Sequence, residues 1–167
     1  FPAEKMGQHH AGGNGRADGR GQACTKNAHI KYKYKNITVS LPSYFELDDE
    51  SDYYNYYTAE VRNNVGVEAS MLEVYDMVFT KEEIMNGLKD DYDVLEIKEY
   101  TLCGLEGYLI KSKYKEYSYT NDWFFMVNDG VNTYGISFIF NDAKKDLFMK
   151  EYDNLVKSIK ITTSSNI

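Results

Sequence analysis

The chain has 167 residues, 43% of them apolar, and 26 Asp or Glu against 19 Lys or Arg for a net charge of −7. That length allows one domain of ordinary size, and no apolar run approaches the roughly 18 residues that a membrane span requires. Charge is unevenly placed: residues 1–35 carry seven Lys or Arg against Glu4 and Asp18, net +5, so the remainder stands at −12. A domain so acidic repels phosphate backbones, which argues against nucleic acid and for a cationic or neutral partner, or simply for a solvated, self-repelling surface.

Residues 1–29 differ in composition from the rest of the chain. They hold six Gly, five Ala, two Arg and one Pro, whereas residues 30–167 hold six, three, one and one. Those residue types use GC-rich codons, while the Lys, Asn, Ile, Tyr, Phe and Met of the body use AT-rich ones. The reading is a flexible Gly/Ala-rich head (1–29) of fusion, vector or linker origin, a single domain (30–161) and a polar tail (162–167) that frays. The opening at Phe1 without an apolar leader implies a chain either cytoplasmic or already processed. Cys24 lacks the apolar flank of a lipidation signal, and its pairing with Cys103 requires the head to fold back on the domain.

Along the body, Lys31-Tyr32-Lys33-Tyr34-Lys35 alternates and continues through Ile37, Val39 and Leu41, the period of one strand with a wet and a buried face, stopped by Pro42-Ser43. Residues 44–47 form a second short strand, and the acidic run Asp48-Asp49-Glu50-Ser51-Asp52 reads as a loop. Residues 56–61 and 67–75 are strands, joined by turn chemistry at Asn63-Asn64 and Gly66. Thr80-Lys81-Glu82-Glu83 is a capping box that opens a helix over 81–90, with Ile84 and Leu88 inward. Strands follow over 94–102, 105–119 and 123–128, interrupted by Cys103-Gly104 and Asn121-Asp122. Asn128-Asp129-Gly130 is a hairpin turn into a strand over 133–140. Asn141-Asp142 then caps a last helix over 143–157, whose stripe of Phe148, Tyr152, Leu155, Val156 and Ile159 lies on the sheet. Strands in runs with two helices signal an α+β domain with an antiparallel sheet.

The stretch from Tyr34 to Phe45, a strand ending at Pro42, Ser43 and an aromatic, resembles the opening of PsbP-like domains. The closing helix with Leu155, Val156, Ser158 and Ile159 is similar to their C-terminal helix. The resemblance spans most of residues 31–161. It implies an α/β/α sandwich, an antiparallel sheet flanked by helices, in a family that includes extrinsic photosystem II proteins and small exported or lipid-anchored proteins of Gram-positive bacteria. The AT-rich body points to the bacterial branch. The family implies an extracytoplasmic, cell-surface or secreted location and a non-enzymatic binding or assembly role, with the membrane reached only through a lipid anchor outside this chain. Unlike the photosynthetic members, this domain has no histidine after His29, which sets inherited metal binding aside, and no site residue carries over.

Without histidine, with one cysteine and with no Gly-rich phosphate loop, the body cannot assemble the usual acid-base or nucleophilic pairs, so neither catalysis nor a cofactor is expected. Carboxylates remain. The run Asp48 to Asp52 lacks the spacing and turn glycine of a calcium loop, and a glycosidase-type pair depends on spatial rather than sequence spacing. Chelation of zinc by His9, His10, Cys24 and His29 requires ordering a Gly-rich segment at entropic cost. Asn36-Ile37-Thr38 matches a glycosylation sequon inside a strand. Trp123, followed by Phe124 and Phe125, reads as core.

Tyr53, Tyr54, Tyr56 and Tyr57 are the densest aromatic cluster. On a strand Tyr54 and Tyr56 share one face and Tyr53 and Tyr57 the other, so one pair is expected to reach solvent or a groove, as rigid contact area for an unknown protein or small ligand. Structural filler is the competing reading. The expectation is therefore a non-catalytic extracytoplasmic binding domain. The alternatives are a cytoplasmic acidic inhibitor or immunity-type protein with a basic partner, and a hydrolase built on carboxylates alone.

Overall fold

The computed structural model describes residues 28–59 and 68–163. Ten strands and two helices make up these segments. β1 (His29–Tyr34) and β2 (Ile37–Pro42) form a hairpin, not the single strand expected from the alternation. The slip is written in the sequence: apolar positions fall on even numbers up to Tyr34 and on odd numbers from Ile37. A change of parity means the chain has turned and brought the other set of side chains inward. Lys35 takes a positive φ of 52° at the turn, and Tyr34 pairs with Ile37. His29, compositionally part of the head, opens β1, with its Nε2 3.5 Å from Glu151.

β3 (Phe45–Glu50), β4 (Tyr54–Ala59), β5 (Ala69–Tyr75), β6 (Tyr92–Leu102), β7 (Leu105–Tyr114), β8 (Thr120–Asn128) and β9 (Thr133–Asn141) build a seven-stranded antiparallel sheet in the order β3-β4-β5-β9-β8-β7-β6. The acidic run is thus partly strand: Asp48, Asp49 and Glu50 belong to β3. As an edge strand β3 can leave its charges in water, and it carries a bulge between Leu47 and Asp49. The opposite edge, β6, carries its own bulge between Val94 and Glu96. Bulges and charge on both outer strands discourage edge-to-edge pairing.

Asn121 and Asp122, expected to break the chain between strands, lie inside β8, where β7 and β9 pair their backbone on both sides. β7 correspondingly stops at Tyr114, and the Tyr117 carbonyl accepts the amide of Thr120 at the turn. The Cys103–Gly104 turn has φ of 55° and 79°, the two positive values that a two-residue hairpin loop demands.

Each sheet face has its own core. Trp123, Phe125, Val127, Tyr134, Ile136, Phe138 and Phe140 pack with Ile37, Val39 and Leu41 of β2 and with α2 (Lys145–Ser158), which follows a short 3-10 turn. β10 (Lys160–Ile161) pairs with β2 to complete a second, three-stranded sheet. That pairing anchors the start of the expected frayed tail: Thr162 donates its amide to Asn36 O at 3.0 Å, and Thr163 is buried. On the other face Tyr56, Met71, Ile110, Phe124, Met126 and Ile139 pack with Ile84 and Leu88 of α1 (Lys81–Leu88). Thr80 accepts from Glu83 N and the Glu83 side chain from Thr80 N, the capping box anticipated from sequence. No helix among the described residues is long and apolar enough to cross a membrane.

Candidate functional site

At the end of the molecule where β1 turns into β2, the loops β3–β4 and β8–β9 and the end of β5 converge on an open groove of about 570 Å³. Such a volume lies in the range of ligand sites, roughly 300–1,000 Å³. Lys35 and Asn36 reach it from the first hairpin, Asp52 and Tyr53 from the β3–β4 loop, Asp76 from beyond β5, and Asp129 and Asn132 from the β8–β9 loop. Three carboxylates thus face one ammonium group.

The groove is stiffened by local hydrogen bonds rather than by a continuous ladder. Asp52 O accepts from the Tyr34 hydroxyl at 2.6 Å and from Lys35 Nζ at 2.7 Å, which leaves the contribution of Asp52 to those bonds on its backbone and not its carboxylate. Asn36 Nδ2 donates to Thr162 O at 2.6 Å, joining the hairpin to the C-terminal strand. Asp129 Oδ1 accepts from Val131 N and Asn132 N, and Oδ2 from the Tyr134 hydroxyl at 2.8 Å. Burial pushes the Asp129 carboxyl up, but these bonds, the backbone amides foremost, outweigh it and hold the group below the ordinary aspartate value. Asp129 therefore shapes the loop. Asp52 and Asp76 are exposed at the groove and supply its negative charge to an incoming group.

Of the four tyrosines singled out from sequence, the structure brings one to this groove. Tyr53 is 62% exposed and lines it, while its carbonyl accepts from Val74 N. Tyr54 is half-buried and donates to Asp49 Oδ2 at 3.1 Å. Tyr56 and Tyr57 are 1% and 2% exposed, one in each core. Both faces of β4 are covered, so the expectation that one tyrosine pair reaches solvent or a groove fails. Burial raises the Tyr56 hydroxyl far above the usual tyrosine range, and the Tyr57 ring packs 4.7 Å from Tyr32. Trp123 lies in the core as expected, edge-on to Phe140, Phe148 and Tyr152, with Lys111 Nζ 4.2 Å from its ring centre.

Residues 60–67, which include the Asn63-Asn64 and Gly66 turn, and residues 1–27, with His9, His10 and Cys24, lie outside the described residues, so the zinc and disulfide readings do too. Cys103, half-buried, donates its thiol to Ile159 O, and burial raises its pKa. No group of three or more His, Cys, Asp or Glu among the described residues is arranged to hold a metal ion.

Sequence reasoning did not find Asp76, nor a pair of buried acids on the α1 face of the sheet. Glu73 of β5 and Asp122 of β8 are 3% and 4% exposed and line one chamber of about 10 Å³. The signal for Glu73 was the inward alternation Ala69, Met71, Glu73, which places a carboxyl on an apolar face. A chamber of that size admits a water molecule and no sugar or other organic substrate.

Neither a protein-family profile nor a curated protein matches this sequence. Solved structures do match its shape. The solution structure of CyanoP, the cyanobacterial PsbP of Synechocystis sp. PCC 6803, superposes with a TM-score of 0.61 over 93% of this chain and 99% of its own, at 9% identity. A Pseudomonas aeruginosa protein of unknown function, PA94, superposes with a TM-score of 0.51 over 81% of this chain and 99% of its own, at 6% identity. Likeness at these identities speaks to fold and not to function. The chain is an α+β protein of PsbP-like fold, antiparallel sheets flanked by two helices.

Proposed function

We propose that the chain is a non-catalytic binding or assembly domain of the exported Gram-positive kind, working outside the cytoplasm, and that it holds a cationic segment of a protein partner in the groove. The observation that carries this reading is the convergence of Asp52, Asp76 and exposed Tyr53 on one concavity within a domain of net negative charge. Carboxylates at the wall steer and register a basic chain, and a tyrosine ring offers contact area at low entropic cost. Lys35 is held toward the Asp52 backbone, so a partner's Lys or Arg meets the carboxylates without first displacing that ammonium. Two-dimensional NMR of the ¹⁵N-labelled protein, titrated with a short Lys/Arg-rich peptide and with its Asp/Glu-rich counterpart, tests it. Amide shifts at Lys35, Asp52, Tyr53, Asp76 and Asn132 with the basic peptide alone are expected. Binding is expected to weaken with salt, and roughly tenfold in the double variant Asp52→Asn/Asp76→Asn, the equivalent of about 1.4 kcal/mol. Shifts spread over the whole acidic surface favour the inhibitor-type reading instead. Equal response to both peptides, or none, refutes the groove.

A further inference from the structure

The chamber between Glu73 and Asp122 contains two carboxyl groups, and among the described residues no Lys, Arg or His lines it. Glu73 is served on one side: its Oε2 accepts from the Tyr75 hydroxyl at 2.6 Å, and its Oε1 lies across Gly135, where a Cβ would stand 2.8 Å away. Asp122 is not. Its Oδ1 is buried without a hydrogen-bond partner, and its Oδ2 lies 3.5 Å from the Tyr114 hydroxyl. That hydroxyl also hydrogen-bonds Tyr92 and has a single proton to give. Even with Tyr92 donating to Tyr114 and Tyr114 to Asp122, one long bond is all that reaches the carboxyl and Oδ1 stays bare, so a proton on Asp122 removes a charge that would otherwise be buried there with little support.

We propose that the chamber is a binding site for one water molecule held by a protonated Asp122, with Ser137 and the Tyr92 and Tyr114 hydroxyls supplying the other partners. The volume of about 10 Å³ is at the size that accommodates a single water, which needs two to four polar neighbours. A buried unpaired carboxylate is strongly disfavoured relative to the neutral acid. Among the described residues, the titratable groups around the Glu73–Asp122 pair are Tyr56 from β4, Tyr75 from β5, on the Glu73 side, Tyr92 from β6 and Tyr114 from β7. β9 adds Ser137 and Ile139, and α1 adds only Ile84 and Leu88 to the surrounding cluster. Every titratable group in that set is an acid. Desolvation first and the charge of Glu73 second raise the Asp122 pKa well above its ordinary value. A carboxyl whose folded pKa exceeds its unfolded one stabilises fully below the unfolded value, and that stabilisation is lost as pH rises through the folded one.

Infrared difference spectra of the full chain at neutral pH, wild type against Asp122→Asn and Glu73→Gln, decide where the proton is. A carboxylic-acid carbonyl band present in wild type, retained in Glu73→Gln and lost in Asp122→Asn is expected. Urea midpoints should fall from mildly acid to alkaline pH in wild type and fall less steeply in Asp122→Asn, where Glu73, its pKa also raised by burial, keeps part of the slope. A crystal structure should place one water within hydrogen-bonding reach of Asp122 Oδ1. Absence of the acid band, a band that tracks Glu73, an empty chamber, or thermal stabilisation by Ca²⁺ or Mg²⁺ that Asp122→Asn abolishes would each overturn the proposal. Should Asp122→Asn not fold, the wild-type and Glu73→Gln spectra still decide.

Discussion

Replacing Phe148 by Ala removes the ring that fastens α2 to the large sheet. Phe148 is fully buried, stacked on Phe140 with ring centres 4.0 Å apart and planes 19° apart, and set edge-on to Trp123 at 5.4 Å and Tyr152 at 5.4 Å. Truncation of a buried phenylalanine costs about 3–5 kcal/mol, the lost transfer energy plus the cavity left behind. Three ring contacts, each worth about 0.5–1.5 kcal/mol beyond area, place this site in the upper half, at about 4 kcal/mol. Divided by a urea slope of about 2 kcal/mol per molar, that is a midpoint lowered by about 2 M. Against a total stability of about 5–15 kcal/mol the variant remains folded in water but by a much reduced margin. The chain has a single tryptophan, Trp123, buried beside the mutated ring, so its fluorescence reports both the local repacking and the global transition. A midpoint shift below about 0.5 M, corresponding to about 1 kcal/mol, would refute the assignment of Phe148 as the anchor of α2.

Gly107→Ala and Gly104→Ala should separate cleanly in urea titrations. A Cβ at Gly107 would collide with the Met126 carbonyl oxygen and lie 2.6 Å from Val127 Cα, so the β7–β8 pair must part, at about 3 kcal/mol and with faster amide exchange along both strands. At Gly104 a Cβ meets open space but the residue keeps φ at +79°, so the loss should be about 1–2 kcal/mol. Thr80→Ala removes the oxygen that accepts from Glu83 N and should cost about 1 kcal/mol, with amide exchange rising in the first turn of α1 and unchanged in α2.

Elements specified by nearby residues were legible in the chain. The capping box at Thr80, the Asp129-Gly130 turn, the Cys103–Gly104 turn and the apolar stripe of the last helix each depend on side chains within a few positions of one another, and their chemistry survives in any tertiary setting. The β1–β2 hairpin was also written locally, as a parity change between Tyr34 and Ile37. Lys35-Asn36 lacks the glycine that usually marks such a turn, so composition hid what register revealed.

Sequence by itself therefore determined the fold class, the order of most elements and the acidic character of the surface, because periodicity, caps and charge are properties of short windows. Tertiary structure alone decided which tyrosines are reachable. Tyr53 ends in the groove while Tyr56 and Tyr57 are enclosed, since burial on β4 depends on what the distant β2, α1 and α2 place over each face. It also decided that Asp122 enters a central strand and meets Glu73, and that Asp52, Asp76 and Asp129 line one groove. These residues lie tens of positions apart, and their electrostatics arise only when strand order and register bring them together, in the case of Glu73 and Asp122 with water largely excluded as well.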